Sequence, residues 1–312
     1  MNEIILNDGE FIPAVSGDEF EVLEDALLPP VNEVRRSFRV FFSRKIVVFA
    51  AIMLVTIIFV ALFADVVAPY GPYDQDLRNV LALPNSTHLL GTDALGRCLL
   101  SRIIHGSRVA LLVGIFTVIV AASVGTCLGL VAGFSEGILQ TVIMRTTDAI
   151  MAIPGLILSL LIVGALRGGV TTVVIAIAAG FFPGYIRMVN GQVLSVKQND
   201  YVMAERAMGA SWGRIVFQHI LPNCMSPIIV MMTMMLGTSI MAEAGLSYLG
   251  IGITPPTAAW GAMCHDGYRY LMTRPMLSIA PGFAIMLLVF SFNMVGDGLR
   301  DALDPRLRGT LD

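Results

Sequence analysis

The 312-residue sequence predicts an all-α integral membrane protein with six transmembrane helices, on three observations. Apolar residues make up 56% of the chain and charged residues only 14%, against about 25% charged in a soluble domain, whose surface must be solvated. Six windows without Asp, Glu, Lys or Arg are long enough to cross the hydrocarbon. The basic residues between those windows fall unevenly on the two sides. The same composition excludes disorder, and four cysteines are too sparse for a disulfide scaffold.

The windows follow one another along the chain. Ile46–Phe63 lies between Lys45 and Asp65, and Val109–Ser135 between Arg108 and Glu136. Ala149–Leu166 is followed, after a turn at Arg167-Gly168-Gly169, by Gly168–Ile186. Two glycines supply the backbone freedom that so short a turn needs. Ile220–Ala242 precedes Glu243, and Pro275–Gly296 lies between Arg274 and Asp297. With the N-terminus inside, thirteen Lys and Arg fall on the inner side and seven on the outer. The cluster ahead of the first span weighs most, because the first helix usually sets the orientation. Both termini are therefore expected in the cytoplasm.

The chain divides into a tail over 1–34, the first span and outer loop over 35–108, a five-helix core over 109–298 with an inner loop at 195–222, and a second tail over 299–312. The first tail holds nine acids and no Lys or Arg, so the remainder carries a net charge of +6. It lacks the pattern of a signal peptide. It reads either as a solvated extension or as a docking segment.

The inner loop runs from Asp200 to Asn223 as a helix, a glycine break and a second helix. Asp200 is a plausible N-cap. Val202, Met203, Ala204, Ala207 and Met208 form a small apolar face. Gly209 can close the first helix in a left-handed conformation, and Ser211 can cap the second. Leu221-Pro222 then turns the chain into the fifth span. Such an element with small exposed residues suits insertion into a groove on another protein.

This stretch resembles the EAA loop of ABC-importer permeases. Other segments, in order, resemble the C-type permease of the dipeptide, oligopeptide and nickel importers: Leu90-Gly-Thr-Asp-Ala-Leu-Gly-Arg97 with Leu100-Ser-Arg102, Phe182-Pro-Gly-Tyr-Ile-Arg187, and Glu243-Ala-Gly-Leu-Ser-Tyr-Leu-Gly250. Pro255-Pro-Thr-Ala-Ala-Trp-Gly-Ala-Met263 and the stretch from Gly296 to Arg308 complete the set. The resemblance covers about residues 35–308. It implies the type I ABC importer permease fold with a cytoplasmic EAA coupling loop. Three positions depart from the family. Met203 stands where glutamate is usual, with Glu205 at a position that is usually alanine, and Cys98 replaces an acid. Glu205 could meet a basic group on a partner or face water.

The resemblance further implies a homologous second permease subunit as heterodimer partner, one or two cytoplasmic ABC ATPase subunits, an extracytoplasmic substrate-binding protein, and surrounding membrane lipid. Nucleic acid is not an expected partner. Coupling to the ATPase would fall on Ala204, Glu205, Arg206, Ala207, Gly209, Ala210, Ser211, Arg214, His219, Leu221 and Pro222. ATP and Mg would sit on the partner subunits, with no cofactor bound by this chain. The sequence agrees: a P-loop needs Gly-Lys-Ser/Thr, and neither Lys45 nor Lys197 follows a glycine. The implied substrate is a short peptide, with nickel or a metal chelate as the alternative.

Other readings are weaker. Asp148 and Arg145 suit a structural pair at i, i+3. Glu243, near the outer end of the fifth span, could face the path or bond within the bundle. The methionines crowding that span suit helix packing better than copper. Cys98 and Cys264 both fall outside, where a disulfide is chemically possible. An intramembrane aspartyl protease using Asp148 and Asp297 lacks the flanking glycine such enzymes show. A proton-coupled carrier lacks a visible midplane relay.

Overall fold

The computed structural model describes residues 33–166 and 168–303, with side chains from Phe38 onward. The acidic tail before residue 33, the C-terminal tail from 304, and Arg167 lie outside the described residues. The fold is all-helical apart from two isolated bridges in the outer segment.

Helix α1 (Glu33–Ser43) leads into α2 (Lys45–Leu62), the first span. A short turn, α3 (Ala64–Val67), opens the long segment before α4 (Leu99–Phe134). The second span thus begins well before Val109. Arg108, expected to end the outer loop, lies inside α4, where its Nε donates to Ala61 O and its Nη2 to Leu62 O, 2.9 Å away. Those carbonyls belong to the last turn of α2, which otherwise leaves them unpaired.

Where a third straight span was expected over Ala149–Leu166, the helix is broken. Two helices occupy this stretch, α5 (Ile138–Met151) and α6 (Gly155–Leu166), at 91° to each other. Pro154 lies in that break; it has no N–H to continue the ladder, and its ring disfavours helical geometry in the residue before it. The glycine turn behind α6 forms as expected, with Gly168 and Gly169 at φ +70° and +96°. Helix α7 (Val170–Val196) then returns along the bundle.

The inner loop carries α8 (Asp200–Ala207) and α9 (Trp212–Ile215), which continues through a π-helical turn, Val216–Ile220, into α10 (Leu221–Tyr248). Leu221-Pro222 therefore does not turn the chain. Pro222 cannot donate to the preceding turn, so the turn widens and the Leu221 N–H reaches Val216 O. The wider turn accommodates the proline ring and lets the helix continue without a break. Helix α11 (Trp260–Tyr268) lies between α10 and α12 (Met276–Leu303), which runs past the tail boundary at 299.

Packing centres on α4. Gly125, Gly129 and Gly133, four apart on one face, sit against Tyr185, Val189 and Val193 of α7. A Cβ at Gly129 would lie 2.7 Å from Val189 Cβ, and one at Gly133 2.6 Å from Val193 Cβ. Small residues at this spacing let two membrane helices close to backbone contact. Ala61, Leu99, Ile240, Trp260, Leu277 and Leu288 join α2, α4, α10, α11 and α12 in one apolar cluster. Met231, Met232 and Met235 fill space against Ala121, Ala122 and Tyr185.

Candidate functional site: the helical loop at one end and the charged platform at the other

The loop is seated by its apolar residues. Val202 of α8 is buried with Val189, Val193 and Val196 of α7 and with Ile215, Val216 and Ile220 ahead of α10. Only Val202 of the expected apolar face turns inward. Met203, Ala204, Ala207 and Met208 are exposed, Met208 to 79%. The N-cap is Asn199, one residue before Asp200, which occupies the first helical turn. Gly209 has φ +83° as expected, and a Cβ there would meet nothing within 4 Å. Its amide donates to Arg206 O, and the Ala210 amide to Glu205 O, so the C-terminal carbonyls of α8 are satisfied. Ser211 precedes α9 as its N-cap, without a side-chain cap bond.

Glu205 is held within the loop. Its Oε1 lies 3.1 Å from His219 Nε2, and its Oε2 3.7 Å from Arg214 Nε. Arg214 Nε also donates to Gln218 Oε1 at 3.0 Å. The His219 ring packs against Tyr201 with centroids 5.7 Å apart, and Asn223 Nδ2 donates to His219 O at 2.6 Å. Among the site residues read from the sequence, Glu205, Arg214 and His219 thus come together as a clasp between α8 and the start of the fifth span. Ala204, Arg206, Ala207, Gly209 and Ser211 remain on the open surface, and Ala210 and Leu221 are half-buried. Pro222 is exposed in the first turn of α10.

A second brace escaped the sequence reading. Lys197 Nζ bonds Glu136 Oε1 at 3.0 Å and lies over the Phe134 ring, which packs edge-on against Trp212. The lysine holds the Glu136 carboxyl below its ordinary range through that hydrogen bond. Trp212, Phe217 and Met208 add large exposed apolar surface to an otherwise polar segment. Large apolar side chains in a charged connection were the available signal.

At the opposite end, Asp93 organises the outer segment. Its Oδ2 accepts from Arg97 Nε at 2.6 Å and lies 3.6 Å from Arg102 Nε, while its Oδ1 accepts from the Leu95 and Arg97 amides. Arg102 is buried and donates from Nη1 to Pro72 O (3.0 Å) and Pro256 O (3.4 Å), tying both outer segments together. A cavity of about 220 Å³ opens above, lined by Asp93, Arg97, Arg102, Met263, Asp266 and Arg269 among others.

Glu243 is only 1% exposed. Ser247 Oγ donates to its Oε1 at 2.8 Å and accepts the Ile253 amide at 3.0 Å. The carboxylate therefore pins the return of the chain from α10 into the outer segment. Cys98 and Cys264 are both free thiols. Burial pushes the Cys264 thiol up to about 11, and the thiol donates to Ser278 O. Asp148 pairs more closely with Arg187 of α7, at 2.5 Å, than with Arg145 at 4.0 Å. Two guanidinium groups, not a second carboxylate, face it.

Five helices long and apolar enough to cross a bilayer, with one bent pair beside them, define a multi-pass membrane protein. The chain belongs to the family described as binding-protein-dependent transport system inner membrane component, which matches residues 125–309, and residues 34–84 match the N-terminal transmembrane domain of oligopeptide transport permease C. It is 41% identical over 292 residues to the glutathione transport system permease protein GsiD of Pectobacterium atrosepticum, covering 91% of this chain and 96% of that one. The protein of that name from Escherichia coli is 40% identical over 289 residues, at 92% and 94% coverage. Structures of the MetNI methionine ABC transporter share the fold, with TM-scores of 0.54 and 0.51 at 19% and 20% identity, covering 65% and 66% of this chain and 96% of each matched chain. The chain is an ABC importer permease subunit and not an enzyme; ATP hydrolysis belongs to a separate subunit.

Proposed function

We propose that this permease forms half of the path by which short peptides enter the cell, the other half coming from a homologous second permease. The observation that carries this reading is the identity of about 40% to glutathione permeases across more than nine-tenths of the chain; glutathione is itself a short peptide. An extracytoplasmic binding protein delivers substrate to the platform around Asp93 and Arg102. One or two cytoplasmic ATPases carry ATP and Mg and dock on the exposed face of α8. Both termini then lie in the cytoplasm.

The geometry suits alternating access. Glu205 lies between Arg214 and His219 where α8 meets the helix that becomes the fifth span, and Val202 packs the two together, so a push on α8 bears on that span. Closure of the ATPases would bias the bundle between its two open states. Gentle co-purification of the tagged subunit, followed by ATPase assay with the binding protein, tests the reading. A second permease and ATPases should be recovered, and hydrolysis should rise with peptide-loaded binding protein. Stimulation by glutathione alone would narrow the cargo, and stimulation only by a metal-loaded protein would replace it. A subunit that purifies alone would overturn the assembly.

A further inference from the structure

We propose that α1 lies in the plane of the membrane as an anchor for anionic phospholipid, at the end of the bundle that carries the helical loop. Its aromatic residues divide into two sets. Phe41 is turned toward α12, where its ring would lie 3.3 Å from a Cβ placed on Gly298. Phe38 and Phe42 point away from the bundle, 63% and 54% exposed, with their rings stacked at 6.1 Å. Two large rings held open to solvent are costly in water.

Their position identifies what covers them. Phe38 and Phe42 on α1 and Ile46 and Phe49 at the start of α2 are all exposed, on either side of the junction at Arg44. Ile46 and Phe49 belong to a helix apolar enough to span the bilayer, and Phe38 and Phe42 lie next to its end, where the headgroup layer begins. Arg44 sets the angle between the helices. It is extended at φ −94° and ψ 113°, and its Nη1 is 2.8 Å from Asp301 at the end of α12.

The charge at this junction selects the headgroup. Residues 35–45 contain five basic side chains and no acid. Arg39 and Lys45 are exposed, and neither has a carboxylate within ion-pair distance among the described residues. A helix with exposed aromatic residues and adjacent cations lies at an interface and draws anionic lipid to it. Arg44, by contrast, is engaged with Asp301 and positions the helix. The inference depends on the proposed topology only for naming the leaflet as cytoplasmic.

The test is lipid contact itself, so failure of the peptide reading would leave it standing. The full chain carrying Phe38→Trp, or separately Phe42→Trp, is placed in nanodiscs of phosphatidylcholine and phosphatidylglycerol. Tryptophan fluorescence is quenched with either lipid brominated on its acyl chains at equal mole fraction. The contribution of Trp212 and Trp260 is subtracted using the unsubstituted chain. Brominated phosphatidylglycerol should quench the more strongly. Adding Arg39→Gln or Lys45→Gln should reduce that preference by about fivefold per cation removed, the worth of one basic residue at an anionic surface. Absence of quenching by either lipid at both positions would show that protein covers this face, and overturn the inference. Equal quenching by the two lipids would also overturn it, leaving an apolar anchor without headgroup choice.

Discussion

Glu205 shows how a single side chain can be assigned by its neighbours. Standing where the family usually has alanine, it is neither free in water nor waiting for a partner subunit, because His219 and Arg214 already flank it. Glu205→Gln removes the charge and leaves two basic groups facing a neutral amide. Transport by the assembled importer should fall about two- to fivefold, the worth of a partly exposed ion pair, with membrane abundance unchanged. ATP-driven uptake in proteoliposomes measures this, and an unchanged rate would show that the clasp is not part of the linkage. Cys264 offers a second reading at this scale. Only the thiolate attacks a maleimide, and burial holds this thiol up to about 11. In a chain with the other three cysteines replaced, labelling should be slow at pH 8 and should accelerate about tenfold per pH unit toward pH 11. Rapid labelling at pH 7 would mean that the thiol is not buried as described.

Among the elements, α4 and α7 set the core, and their closeness rests on glycines. Gly129→Leu would drive a branched side chain into Val189, 2.7 Å from the position of its Cβ. Overpacking of this kind costs about 1–3 kcal/mol, and thermal unfolding of the detergent-solubilised subunit should show it as a lowered Tm. Gly191→Leu is the control, since its Cβ would meet nothing within 4 Å and leucine favours the helix over glycine; equal loss in both variants would mean that contact with Val189 is not the cause. The spacing of Gly125, Gly129 and Gly133 was open to reading in the sequence, because small residues four apart need no structure to be seen. Five spans were legible for the same reason: length and absence of charge are local properties. The third span was not. A charge-free window locates apolar residues, but Pro154 divides them into two helices at 91°, and no local property of the sequence gives that angle. The loop was legible in outline through Gly209, yet the clasp was not. It joins residues 205, 214 and 219 through the unbroken passage from α9 to α10, and Pro222 suggested a turn there.

For the whole molecule, that unbroken passage is the main consequence of the fold. From Trp212 to Tyr248 the chain is one helical rod of 37 residues, roughly 55 Å long at about 1.5 Å per residue. The Glu205 clasp grips its start. Glu243 and Ser247, near its other end, fix the return of the chain toward Pro255 and Pro256, and Arg102 holds Pro256 against the outer platform. A tilt of the rod at the loop end is therefore carried toward the platform, with the π-helical turn at Val216–Ile220 and Pro227 inside α10 as the points where the rod can bend. Glu243→Gln keeps an acceptor for the Ser247 hydroxyl, whereas Glu243→Ala leaves that hydroxyl and the Ile253 turn without their anchor. In the reconstituted importer, Glu243→Ala should retain basal ATP hydrolysis but lose most of its stimulation by loaded binding protein, and Glu243→Gln should keep the greater part. Hydrolysis measured with and without binding protein separates these outcomes. Full stimulation in the alanine variant would mean that the platform is held to the rod by packing around Gly261 and Ala244 rather than by the buried carboxylate.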